Sequence, residues 1–203
     1  MHISEGVLSF HVLISGGALA AAGTAVGLRK LDYERVPQVA VLAAAFFVAS
    51  LVHVPIGPSG VHLILNGLMG LLLGWVAFPA ILVGLLMQAI LFQYGGLTSL
   101  GVNTVVMSLP AVICFIAFRA RVQTGESGVS LAAAFLCGFG AVLIGSLLVA
   151  AALVSTGESF FGVAKIIILA HFPVMVIEGF ITAACVKFLK AVKPEILEVV
   201  YDG

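Results

Sequence analysis

Leu131-Ala-Ala-Ala-Phe-Leu-Cys-Gly-Phe-Gly-Ala-Val-Leu-Ile-Gly-Ser-Leu-Leu-Val-Ala-Ala-Ala-Leu-Val-Ser155 runs for 25 residues without a charged side chain. An α-helix needs about 20 such residues to cross the hydrocarbon core of a bilayer. The stretch lacks the strict apolar–polar alternation of a barrel strand, and in lipid a helix satisfies its own backbone hydrogen bonds. Comparable apolar runs occupy approximately residues 9–28, 38–55, 61–78, 80–94, 104–118 and 163–188. The expectation is an all-α integral membrane protein, a single bundle of about seven transmembrane helices making one domain of residues 1–203. Composition agrees: 62% of residues are hydrophobic and 9% charged, against roughly 45–50% and about 25% in soluble domains, so water cannot solvate this surface.

Charge placement orients the bundle, because cytoplasmic loops carry an excess of Lys and Arg. With seven spans and the N-terminus outside, Arg29, Lys30, Arg35, Arg119, Arg121, Lys187, Lys190 and Lys193 all fall on the cytoplasmic side, and Lys165 alone falls outside. The same arrangement gathers Met1, His2 and the turn from His53 to Gly60 at the outer face and puts the C-terminus in the cytoplasm. Met1 to Phe10 has no basic region and carries Glu5, so it reads as mature sequence rather than a signal peptide.

The rest of the composition excludes several classes. Cys114, Cys137 and Cys185 sit in apolar runs at wide spacing and read as small packing residues rather than metal ligands or redox pairs. No GxxxxGK[ST] motif, soluble domain or basic stripe for nucleic acid is present. If ATP powers transport here, another subunit supplies the ATPase.

Chemistry concentrates at the outer face. Residues 1–8 form an N-terminal segment that opens on Met1 and His2, and a free α-amine followed by histidine is a chelate. The amine of Met1, the backbone nitrogen of His2 and its imidazole close fused five- and six-membered rings on one divalent ion. One more imidazole completes a four-nitrogen plane, a geometry that favours Ni(II) or Cu(II). His62 is a candidate for that fourth place, because Val54-Pro-Ile-Gly-Pro-Ser-Gly-Val-His62 breaks one helix and starts another, leaving irregular backbone beside a histidine. The plainer alternative makes His62 a packed hydrogen-bonding residue, and His53 across the break is the weaker ligand candidate. A second irregular stretch, Gln93-Tyr-Gly-Gly-Leu-Thr-Ser-Leu-Gly-Val-Asn103-Thr104, offers uncharged polar groups at the same face. A metal-bound histidine normally gives its other ring N–H to such an acceptor. Asn103 is the first candidate for that role and Gln93 the second; the alternative is a plain loop with Asn103 capping the next helix.

Taken together, these motifs resemble a known family. Met1-His-Ile-Ser-Glu-Gly-Val-Leu-Ser9, Ser59-Gly-Val-His62 through Gly70, Gln88 through Asn103, and His171-Phe-Pro-Val-Met-Val-Ile-Glu178-Gly179 are similar, in order, to motifs of the substrate-capture membrane subunit (S component) of cobalt and nickel energy-coupling-factor (ECF) ABC transporters. The resemblance spans nearly the whole chain. It implies a multi-pass protein of the cell membrane that captures Ni(II) or Co(II) outside and delivers it inward, with no permanently bound cofactor. The implied partners are a transmembrane coupling subunit, cytoplasmic ATP-binding subunits and, in some systems, a small accessory membrane protein. It also implies the ligands: the amine of Met1, the backbone nitrogen and imidazole of His2, and His62. The residues before His62 follow a less common variant of the pattern, which leaves nickel and cobalt both open.

His171 and Glu178 lie seven positions apart on roughly one face of the last helix. They either steady the N-terminal segment or take part in release, or else make internal hydrogen bonds; the last reading is preferred. Two other classes compete with metal capture. An intramembrane hydrolase would pair Ser59 or Ser99 with His171, but neither G-x-S-x-G nor H-E-x-x-H occurs. A passive channel for small solutes would fit the uncharged middle of the chain, with His62 lining a pore.

Overall fold

The computed structural model describes residues 2–51, 53–56 and 59–197; at 53–56 and 59–61 the backbone alone is described. The helical segments are α1 (Phe10–Arg29), α2 (Val36–Ala49), α3 (Asn66–Leu73), α4 (Ala77–Phe92), α5 (Leu100–Thr124), α6 (Ser127–Thr156) and α7 (Phe161–Val192). Among the described residues the sheet structure is an antiparallel hairpin of β1 (His53–Ile56) and β2 (Ser59–His62), which pairs His53 with His62 and Ile56 with Ser59. The protein is thus nearly all-helical rather than strictly so. The run expected as helix to residue 55 stops at Ala49, and β1 begins at His53; the sequence here carries Pro55, Gly57 and Pro58, residue types that punctuate helices.

Among the described residues five stretches are long and apolar enough to cross a membrane: Phe10–Arg29, Asn66–Phe92, Leu100–Thr124, Ser127–Thr156 and Glu158–Val192. α2, with 14 residues, falls short. The two helices expected at 61–78 and 80–94 share the single stretch Asn66–Phe92, but the chain reverses inside it. Gly74 at φ 54° ends α3, and a 3-10 turn, Gly74–Val76, leads into α4. Contacts on either side establish the reversal. Leu72 O accepts from Arg35, and Gly27 at the far end of α1 faces Trp75 and Pro79. Gln88 in α4 and His62 before α3 both touch His2.

The surface is greasy and the polar groups are inside. Phe10, Leu19, Ile116, Leu169, Phe180 and Phe188 are exposed, whereas His2, His62, Asn66, Gln88, Asn103, His171 and Glu178 are buried. All eight residues of α3 are buried, because α5, α6 and α7 close around it. That enclosure depends on small residues, which let helices approach closely in lipid. A Cβ on Gly67 would lie 2.7 Å from Gly138 Cα, and one on Gly70 would collide with the Ala111 carbonyl. At one end of the bundle the 30–35 connection meets the Gly74 turn. At the other, the N-terminal segment meets the 93–99 loop and the end of α6.

Candidate metal site

The chain enters the bundle as a strap. Ile3 is 1% exposed and both of its backbone groups are held. Asn103 Oδ1 accepts the Ile3 N–H at 2.9 Å, while Asn103 Nδ2 and Ser99 Oγ donate to the Ile3 carbonyl at 3.1 and 2.9 Å. Farther along, Glu5 accepts from the Thr98 N–H and the Ser9 N–H donates to Thr156 Oγ1. The loop that covers the strap uses positive φ at Gly95 and Gly96, where a Cβ would run into Asn103 Nδ2 and Glu5 respectively.

Strapping Ile3 places His2 inside, where it is 3% exposed, against His62, also 3% exposed. The two rings lie with centroids 4.6 Å apart, and Tyr94 stands 6.2 Å from His2. Their outer partners decide which nitrogens carry hydrogen, since a carbonyl can only accept. His62 Nδ1 donates to Leu63 O at 2.7 Å, so His62 Nε2 is bare. For His2, Nε2 lies 2.6 Å from Gln88 Oε1. The Gln88 amide is oriented by Nε2 donating to Ser50 Oγ, whose own hydrogen goes to Phe47 O. Gln88 Oε1 is therefore the acceptor, His2 Nε2 carries the hydrogen, and His2 Nδ1 is bare. With both rings neutral, these two nitrogens face each other at 3.0 Å and neither carries a hydrogen to place between them. The gap is built for a cation, a proton or a metal ion.

Among the described residues no three His, Cys, Asp or Glu side chains cluster as a metal site. Donors beyond the two imidazoles have to come from elsewhere, and Met1 lies outside the described residues, as does the side chain of His53. The expected imidazole partners are corrected. Asn103 holds the backbone of Ile3, and Gln93 is exposed at the end of α4 with φ 57°. The side chain that meets a histidine ring is Gln88, at His2 Nε2. Its signal was in the sequence: it is the only polar side chain in α4, and a polar residue in an apolar span marks function by default.

α7 supplies the second half of the frame. Glu178 accepts the N–H groups of Ile64 and Leu65, with contacts of 2.5, 2.9 and 3.1 Å. His171 Nδ1 donates to Ile167 O at 2.7 Å within its own helix. Both make internal hydrogen bonds, as preferred from the sequence. Ser99 is bound to Ile3 O and Gly96 O, so no Ser99–His171 pair forms.

A family model described as the cobalt uptake substrate-specific transmembrane region matches residues 2–196. The chain is 44% identical over 202 residues, covering 97% of each chain, to a Haemophilus influenzae protein named for metal transport. It is 33% identical over 215 residues to the cobalt transport protein CbiM of Sorangium cellulosum, covering 98% of this chain and 95% of that one. A crystal structure of a transition metal transporter superposes with a TM-score of 0.84 at 25% identity, covering 95% of this chain and 93% of the other.

Proposed function

Because the chain belongs to the CbiM family of cobalt-uptake substrate-specific transmembrane proteins, we propose that it is the subunit that captures Ni(II) or Co(II) in a four-nitrogen site at the outer face of the membrane. The donors are the Met1 amine, the His2 backbone nitrogen, His2 Nδ1 and His62 Nε2. The protein is a multi-pass membrane component of cobalt and nickel transport, not an enzyme. Delivery is inward, with a transmembrane coupling subunit and cytoplasmic ATP-binding subunits.

The observation that carries this reading is the pair of bare nitrogens. A chelate from residues 1 and 2 closes its six-membered ring only through Nδ1 of the second-position histidine, and in His2 it is Nε2, not Nδ1, that meets Gln88. In a square plane that imidazole is adjacent to the fourth ligand. Metal–nitrogen bonds of about 2.0 Å put adjacent donors about 2.8 Å apart, and the separation from His62 Nε2 is 3.0 Å. The Ile3 N–H is already committed to Asn103, so the amide available to lose its proton to the metal is that of His2. An all-nitrogen set disfavours Mg(II) and Ca(II) and, having no thiolate, Cu(I).

Seven crossings with the N-terminus outside accord with the reversal at Gly74. α1, α3, α5 and α7 run one way, α2, α4 and α6 the other, and β2 with residues 63–65 completes the short descent of α3. Eight of the nine basic residues then share one side, as cytoplasmic loops require.

The test is titration of Ni(II) and Co(II) into detergent-purified protein with its native N-terminus, followed by d–d absorption, beside a version with one extra residue before Met1. One-to-one binding that the extension abolishes is expected. Affinity should rise with pH, because binding displaces protons. Equal binding by both versions sinks the N-terminal chelate.

A further inference from the structure

Glu178 is a fully buried carboxylate in the middle of α7. Carboxylates within membrane spans are costly and mark function by default, and the family-level reading assigns this one no part in holding metal. Its contacts among the described residues are specific: both oxygens accept backbone N–H groups from Ile64 and Leu65, the two residues before α3. The first turn of α3 has no side-chain cap of its own, and Leu65 stands there in the left-handed region at φ 55°, which an L side chain adopts only when its surroundings hold it. α7 therefore supplies the cap from outside.

The turn it grips also sets the hydrogen on His62. Residues 63–65 connect His62 to α3, and Leu63 O is the acceptor of the His62 Nδ1–H. Without that acceptor nothing among these contacts keeps Nε2 bare and aimed at His2. We propose that Glu178 is a positioning residue of the metal site: by clamping the Leu63–Leu65 turn it orients the Leu63 carbonyl and so holds His62 in the tautomer and direction that bind metal. This rests on the four-nitrogen site proposed above. A carboxylate that only capped α3 would affect stability and leave the metal unmoved.

Glu178→Gln keeps the side-chain volume but turns an amide NH2 toward a backbone donor that it cannot satisfy. Ni(II) is titrated into detergent-purified wild type, Glu178→Gln, His62→Ala and the double variant, all with the native N-terminus. Outer partners of ligating histidines are worth about 10–100-fold in metal affinity. The expected result is a loss of that order in Glu178→Gln, a d–d band shifted toward that of His62→Ala, and no further loss in the double variant. Wild-type affinity in Glu178→Gln, or the same fractional loss with and without His62, overturns the proposal and makes Glu178 a structural cap. If Glu178→Gln does not fold, Glu178→Asp takes its place with the same criteria. Wild-type nickel binding that does not depend on His62 removes the four-nitrogen site itself, an outcome distinct from His62-dependent binding that ignores Glu178.

Discussion

At the scale of the residue, the site is a problem of hydrogen placement. His2 and His62 are useful to a metal only while Gln88 and Leu63 O each hold one ring hydrogen away from the gap. Gln88→Leu removes the acceptor for His2 Nε2–H and strands Ser50 Oγ. Its nickel affinity should fall about 10–100-fold, read by competition against a chelator of known strength, with the fold retained by circular dichroism; unchanged affinity would mean that Gln88 does not select the tautomer. His62→Ala should lose more, since it deletes a proposed ligand. The histidines themselves were legible in the sequence, because a second-position histidine and a histidine beside a helix break are local features. The partner of His2 was not, because Gln88 and His2 are 86 residues apart and meet only when α4 turns back toward the N-terminal strap. Asn103 was the better guess from composition, yet folding spends its amide on Ile3.

At the scale of the element, α3 decides the design. Eight residues give about 12 Å of helix, too little to cross a bilayer, and the extended residues before it are held by the α7 carboxylate rather than by helix geometry. The sequence pattern predicted continuous helix from 61 because hydropathy cannot register a cap delivered by a distant segment. The walls around α3 are set by glycines, and a Cβ at Gly70 would meet the Ala111 backbone, which cannot swing aside. Gly70→Ala should therefore destabilise the protein by about 1–3 kcal/mol and lower its melting temperature in detergent. A mutant as stable as wild type would mean that α3 and α5 can separate without cost. A substitution at Gly17, where a Cβ meets nothing within 4 Å, should be nearly neutral for the isolated protein and serves as the control.

For the whole molecule, the bundle turns its polar groups inward and its aromatic and aliphatic groups outward. Composition and basic-residue placement made that much legible, since both are sums over the chain and need no contacts. Sidedness is open to direct measurement. In a background lacking the three native cysteines, Gly128→Cys beside the α5–α6 connection should be shielded from a membrane-impermeant maleimide in intact cells and labelled after permeabilisation. Ser159→Cys between α6 and α7 should be labelled in intact cells. The opposite pattern inverts the topology and places the strap inside.

The facing nitrogens of His2 and His62, 3.0 Å apart, also bear on voltage. An isolated dication in so buried a place would meet a steep desolvation cost. In the four-nitrogen site proposed above, a metal ion would take the place of a proton between the rings, and the His2 amide would give up another: two positive charges would enter the site and at least two would depart. Capture at that site would be close to electroneutral, so the membrane potential, worth about 2.3 kcal/mol per charge for each 100 mV, would neither draw the ion into its seat nor hold it there. Release from such a site would then require that protons return to those nitrogens.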